Sequence, residues 1–125
     1  MIQINPTNSQ PIFEQIISQI KMLVLKGYLK PGDGLPSVRK LALKLSVTPG
    51  TVAKAYSELE RQNVIVTIRG KGAYIAEKCD YKPSETQLQR GFLAFRGVCM
   101  DLIYMGIQRE ELEEQLEDIY SNIVR

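Results

Sequence analysis

A chain of 125 residues has room for one compact domain, or for a small domain with an appendage. It contains two cysteines and no histidine, so it lacks the commonest general base and the commonest metal ligand. No apolar run reaches the ~18 residues of a membrane span and no signal pattern opens the chain, which predicts a cytoplasmic protein without a membrane partner. Residues 1–80 hold 11 Lys and Arg against 6 Asp and Glu, whereas residues 81–125 hold 5 against 8. This uneven charge favours a polyanion as the partner of the first part.

The first predicted helix covers residues 11–26 and follows an arm that contains Pro6. Apolar side chains recur at helical spacing from Phe13 to Val24, and Pro11 suits the first turn because its missing N–H has no helical partner there. Gly27 is placed to end this helix, and residues 30–34 form a cluster of turn residues.

Two further helices are predicted close together. Ser37 is placed to cap the second helix and Thr48 to cap the third, with Pro49 in its first position. Only residues 46 and 47 separate Leu45, at the end of one helix, from the cap of the next, which indicates the tight turn of a helix-turn-helix. The third helix is predicted to bury Val52, Ala55, Tyr56 and Leu59 and to point Gly50, Lys54, Ser57 and Arg61 the opposite way.

A β-hairpin is predicted after the third helix. Asn63 can adopt the left-handed conformation that closes a helix. Residues 64–68 are rich in strand-forming side chains, and residues 73–75 are their predicted partner. The tip between them, Arg-Gly-Lys-Gly at residues 69–72, is the predicted wing of a winged helix-turn-helix, a fold that places one helix in the DNA major groove.

Residues 80–83 are predicted to be a linker that leads into two more helices. Ser84 is placed to cap the fourth helix, Gly106 to end it, and the fifth begins near Gln108. Cys99 is interpreted as a small buried hydrophobe and not as a disulfide partner of Cys79, because the cytoplasm is reducing. The fourth helix carries a heptad-like seam of Leu88, Phe92, Phe95, Cys99 and Leu102, and the fifth carries an apolar stripe of Leu112, Leu116, Ile119, Tyr120 and Ile123.

Together these elements predict a mostly helical α+β protein. Residues 1–79 form a winged helix-turn-helix DNA-binding domain of three helices and a β-hairpin wing, and residues 80–125 form a linker and a two-helix dimerisation tail. The apolar stripes of the tail are too large to leave in water, so they are expected to pair with each other and with a second chain. The alternative is a tail that only completes the core of a monomer. Phe92, Phe95, Tyr104 and Tyr120 could instead line a small-molecule effector pocket, although aromatic stripes at helical spacing are more often core.

Spaced motifs across residues 5–76 resemble the GntR family of bacterial transcription regulators. The matching pieces are residues 11–16, 27–33, 35–39, 41–42, 47, 51–52, 55–56, 59–60 and 70–72. A short tail of two helices is similar to that of the YtrA-like subfamily. The resemblance implies a homodimer that binds an inverted-repeat operator in double-stranded DNA, usually as a repressor. In this subfamily the target is often an operon that encodes a transporter.

The resemblance, together with the position of each residue on the predicted helices, indicates which residues contact DNA. Arg39 resembles the family arginine at the start of the second helix, and a guanidinium suits either a phosphate or a guanine edge. Lys54 either contacts a phosphate or pairs with Glu58 one turn further along the helix. The wing tip follows the minor groove or the backbone in the family, with a solvated, mobile hairpin as the alternative. The predicted DNA-binding residues are Ser37, Arg39, Thr48, Pro49, Gly50, Thr51, Lys54, Arg69, Gly70, Lys71 and Gly72.

One departure from the subfamily concerns base readout. Many YtrA-like sequences carry asparagine where this chain has Gly50, and glycine lacks the amide that reads adenine. A protein-interaction module that has lost DNA binding is therefore a competing function, although the retained Arg39, Lys54, Arg69 and Lys71 weigh against it. An enzyme is set aside and no cofactor is expected, because the chain has no apparent cluster of nucleophile, base or metal ligands.

Overall fold

The computed structural model describes residues 2–77 and 82–123, which form two units. The first contains three helices and a two-stranded antiparallel sheet, and the second contains two helices. In chain order the elements are α1 (Ile12–Leu25), α2 (Val38–Leu45), α3 (Pro49–Arg61), β1 (Ile65–Ile68), β2 (Gly72–Ile75), α4 (Glu85–Tyr104) and α5 (Arg109–Asn122). The predicted class, a mostly helical α+β protein with a winged helix-turn-helix, is confirmed. The predicted boundary between residues 79 and 80 lies outside the described residues, as does Cys79.

The core of the first unit is built around α3, which packs against α1, α2 and β1. The apolar positions of α3 recur at helical spacing and form one buried stripe, as predicted. Buried side chains of α1, α2, α3, β1 and β2 belong to one hydrophobic cluster, so helices and hairpin stabilise one another. The largest fully buried side chains are Ile16, Ile20, Leu41, Val52, Leu59 and Ile65.

The turn between α2 and α3 is tight, as the sequence predicts. The Ser37 hydroxyl accepts a hydrogen bond from the N–H of Lys40 (3.1 Å), which confirms the cap of α2. Ser46 then adopts the left-handed conformation (φ 57°, ψ 43°) that ends this helix. Thr48 is the N-cap residue of α3, with Pro49 in the first position as predicted, but its side chain forms no capping hydrogen bond. The N–H of Thr51 donates to the backbone carbonyl of Thr48 (3.1 Å). The two threonine hydroxyl oxygens lie 3.0 Å apart.

The wing is held to the body along one of its strands. β1 and β2 pair antiparallel from Ile65–Ile75 to Ile68–Gly72, within one residue of the predicted strand ends. On the other edge of β2, the N–H of Gly32 donates to the carbonyl of Ile75 (2.8 Å) and the N–H of Leu35 to that of Ala73 (2.9 Å). Residues 32–35, predicted in part as a turn cluster, therefore extend the pairing of the hairpin.

The buried side-chain amide of Gln15 holds the residues before α1 against this helix. The Oε1 atom of Gln15 accepts a hydrogen bond from the N–H of Asn5 (2.7 Å), and its Nε2 atom donates to the carbonyls of Asn5 (3.0 Å) and Gln10 (2.9 Å). Ile2 and Ile4 pack against the core. The predicted arm is therefore an ordered segment, because the glutamine amide satisfies its backbone as a neighbouring strand would.

The phenol of Tyr56 predicts how the fold responds to alkali. Its hydroxyl donates to the carbonyl of Pro36 (2.7 Å), and burial raises its pKa from 10.0 to about 12. The fold thus favours the neutral phenol, so this stabilisation is complete below pH 10 and is lost between pH 10 and about 12. We expect Tyr56→Phe to lower the free energy of unfolding by about 1 kcal/mol at pH 7. Above pH 10, the free energy of unfolding should fall less steeply with pH in this variant than in the wild type, as measured by urea denaturation. The exposed Tyr28→Phe is the control, and identical pH profiles for wild type and Tyr56→Phe would contradict the expectation.

The second unit leaves its apolar stripes open in the single chain. Ser84 forms a capping box with Gln87 at the start of α4, and Gly106 (φ 99°) follows its end, as predicted. No side chain of α4 or α5 is buried. Cys99 is only half-buried, so its predicted burial is wrong for the isolated chain. α4 and α5 make no extended contact with each other, so the predicted pairing of their two stripes within one chain is wrong.

Candidate nucleic-acid interface

The amino end of α3 lies at the surface of the first unit. Thr48, Pro49 and Gly50 are exposed, and Thr51 is half-buried. Nothing lies within 4 Å of a Cβ atom built on Gly50, so this position has room for a side chain. The first-turn N–H groups and the positive end of the helix dipole favour a negatively charged group at this end of α3.

A second exposed element is the amino end of α2. Arg39 and Lys40 are exposed beside the capping Ser37, and all three border a shallow depression. Among residues 2–77 and 82–123, the one ion pair joins Arg61 to Glu58, so the Arg39 guanidinium takes part in none. It is therefore free to form bidentate hydrogen bonds with a phosphate or with a guanine edge.

The wing tip is the third exposed element. Arg69, Gly70 and Lys71 are all exposed, and the tip turns through two positive φ angles, 82° at Gly70 and 115° at Gly72. Glycine adopts such angles without the strain that a Cβ atom would cause. The Tyr74 hydroxyl donates to the carbonyl of Lys71 (3.2 Å), which ties the tip to the strand behind it. The tip thus presents two cations on a defined turn.

A groove of about 320 Å³ runs between the start of α2, the outer face of α3 and the wing. It brings together Ser37 and Gly72 from the predicted DNA-binding set. It also contains Ala53, Ser57 and Thr67, which the predicted set omits. Ser57 could have been found from its outward position on the third helix, whereas Thr67 required the strand register. The hydroxyls in this groove can donate to phosphate oxygens, whereas Glu60, which also lines it, would repel them.

Lys54 lies outside this groove, on the flank of α3 that faces α1. Its Nζ atom lies 3.9 Å from the ring centroid of Phe13, which is a cation–π contact that the sequence prediction missed. The alternative pair with Glu58 is not formed. The Glu58 carboxylate instead accepts hydrogen bonds from Arg61 Nε (3.0 Å) and Gln62 Nε2 (2.8 Å). These hydrogen bonds, that of Arg61 above all, lower the pKa of Glu58 to about 2.

In residues 2–77 and 82–123, no three His, Cys, Asp or Glu side chains are grouped so as to hold a metal ion. Every buried side-chain nitrogen or oxygen of these residues has a hydrogen-bond partner. None of the described helices combines the length and the apolar character needed to cross a membrane.

Three helices, a two-stranded wing and exposed cations on α2, α3 and the wing tip define a winged helix-turn-helix DNA-binding protein. Residues 12–75 match the bacterial regulatory proteins of the gntR family. The chain belongs to this family, which confirms the resemblance inferred from its motifs.

Known proteins of similar sequence and structure agree with this assignment. The HTH-type transcriptional repressor YtrA of Bacillus subtilis is 45% identical over 123 residues, 98% of this chain and 95% of the relative. A crystal structure of a Listeria monocytogenes transcriptional antiterminator has a TM-score of 0.93 and 38% identity, covering 100% of this chain and 93% of that one. YtrA of Sulfolobus acidocaldarius, a GntR-family transcription factor, has a TM-score of 0.61 and 35% identity, covering 78% and 97%. The chain is a DNA-binding transcriptional regulator and not an enzyme.

Proposed function

We propose that the chain acts as a homodimeric repressor that binds an inverted-repeat operator in double-stranded DNA. One observation carries the proposal: the first unit exposes three separate elements suited to DNA, namely the first turn of α3, Arg39 on α2, and the cations of the wing tip. Helix-turn-helix proteins insert the second helix of the motif into the major groove and fix it through phosphate contacts on either side.

Each element is assigned to its own part of a half-site. The first turn of α3, from Thr48 to Thr51, lies nearest the base edges of the major groove. Arg39 binds a phosphate or a guanine at the border of that groove. Arg69 and Lys71 reach the adjacent minor groove or its phosphates, where the positive φ angles of Gly70 and Gly72 allow the tip to approach closely. The remaining members of the predicted set, Ser37, Pro49 and Lys54, fix the two helices or contact phosphate.

The second unit is proposed to join two copies. Phe92 and Phe95 on α4 are 71% and 52% exposed in the single chain, and Leu116 and Ile119 on α5 are 41% and 42% exposed. Large apolar side chains exposed in such number are normally covered by another molecule. A dimer would set two recognition helices about one DNA turn apart, ~34 Å, as an inverted repeat requires.

The proposed target is an operon that encodes a transporter, on the strength of the YtrA-like resemblance. The similarity to a B. subtilis repressor supports repression over activation. A regulator of bacterial transcription meets its operator in the cytoplasm, which is the proposed location. A small-molecule effector would act by binding the DNA-bound and free states with different affinity.

Footprinting on the DNA upstream of the protein's own gene tests the proposal. We expect protection of an inverted repeat, and an affinity that falls by about 10³-fold between 50 and 200 mM salt if some six phosphates are contacted. Two results would favour the protein-interaction module instead. One is an affinity that does not change with salt concentration, and the other is the absence of a protected repeat both there and in a library of genomic fragments.

A further inference from the structure

Phe13 is the one side chain of α1 whose ring lies against a cation of the recognition helix. The Lys54 ammonium sits 3.9 Å from the centroid of this ring. Phe13 is half-buried and packed against the core, so the ring is fixed, whereas Lys54 is exposed on the surface of α3. The contact therefore joins a rigid platform to a flexible charged side chain.

The carboxylate one turn further along α3 does not pair with Lys54. Glu58 lies four residues after Lys54 on α3, where a carboxylate can form an ion pair with a lysine. Arg61 and Gln62 occupy both oxygens of that carboxylate. The Lys54 ammonium therefore remains beside α1 with hydrogen-bond donors open to solvent.

We propose that Phe13 is a positioning residue that holds the Lys54 ammonium ready for a DNA phosphate on the α1 side of the recognition helix. The proposal rests on the proposed function, operator binding. A free lysine side chain occupies many rotamers and loses that freedom when it binds a phosphate. The aromatic face restricts Lys54 before DNA arrives, so less conformational freedom is lost on binding.

A double-mutant cycle on the full chain tests this proposal, with a duplex that the wild-type protein selects from a random library as the probe. Phe13→Leu should weaken binding by about two- to fivefold per half-site and leave the salt slope near that of the wild type, because the charge remains. Lys54→Met should make the fall of log K with log salt shallower, by about 0.9 in slope per half-site, because one phosphate contact is lost. In the Lys54→Met background, Phe13→Leu should have no further effect. Phe13→Tyr keeps the aromatic face and should restore wild-type affinity.

A spectroscopic measurement tests the same contact without DNA. The aromatic ring should shift the ε-methylene protons of Lys54 upfield in the wild type and in Phe13→Tyr, and Phe13→Leu should remove that shift. The wild-type spectrum alone decides whether the contact exists. The test is therefore valid even if Phe13→Leu destabilises the fold.

The outcomes separate this inference from the function on which it rests. Equal weakening by Phe13→Leu in both backgrounds, or unshifted Lys54 protons in the wild type, would overturn the role of Phe13 while operator binding stands. Failure of the wild-type protein to select any duplex would overturn the proposed function, whatever the spectrum of Lys54.

Discussion

Replacing Arg39 by alanine is expected to weaken operator binding by about 10- to 100-fold at fixed salt while leaving the fold intact. The guanidinium is exposed and forms no ion pair among residues 2–77 and 82–123, so its loss leaves no buried partner unsatisfied. On DNA it would bind a phosphate or the O6 and N7 atoms of guanine, both of which alanine forfeits. Fluorescence anisotropy with the operator, together with a thermal melt, measures the two effects separately.

Two further variants sharpen this expectation. Arg39→Lys keeps the charge but not the planar fork, so it should recover most of the affinity if the partner is a phosphate and little if the partner is a guanine. Lys44→Ala removes a cation from the last turn of the same helix and should change binding far less. Equal losses for Arg39→Ala and Lys44→Ala would mean that α2 contributes only diffuse charge.

Placing a charge in the apolar seam of α4 is the second change with a large expected effect. Phe92→Asp should convert a dimer into a monomer and lower affinity for the inverted repeat by about 10²-fold or more, because the two half-sites are then bound independently. The Phe92 side chain is 71% exposed in the single chain, so the substitution should not unfold α4. Sedimentation equilibrium gives the mass, and titration of full and half operators gives the coupling.

Ala94→Glu is the matched control for this variant. It adds a charge to the same helix, about 200° around from Phe92, and should leave both mass and affinity unchanged. A wild-type protein that remains monomeric at every concentration would contradict the proposed tail function. So would a Phe92→Asp protein that still sediments as a dimer.

The sequence predicted the elements whose cause is local. The caps at Ser37 and Ser84, the left-handed Asn63 and the end of α4 at Gly106 each depend on a few adjacent residues, and the structure agrees at all four positions. The buried face of α3 follows from helical spacing in the same way. The family motifs, read together, identified the fold and the class of function.

Contacts between elements distant in the chain could not be predicted. The position of Lys54 depends on how α1 crosses α3, which no local pattern encodes, and the pattern favoured pairing with Glu58 or a phosphate. Thr48 occupies the predicted N-cap position, but its hydroxyl lies beside that of Thr51 and accepts no hydrogen bond from the helix backbone. Burial of Cys99 was inferred from an apolar stripe. A stripe alone does not show whether the surface that packs against it belongs to the same chain or to another.

The strand pairing of residues 32–35 makes the wing and the helix-turn-helix one mechanical part. Leu35 is hydrogen-bonded to Ala73 in β2, and three residues later the chain enters α2 at Val38. A displacement of the wing must therefore carry the start of α2 with it. The exposed side chains of α3 take no part in this strand pairing, so substitutions at Gly50, Ala53 or Ser57 could change the preferred operator sequence without changing the fold. Exchanging the whole wing would instead move the start of α2 and change how the domain docks on any DNA sequence.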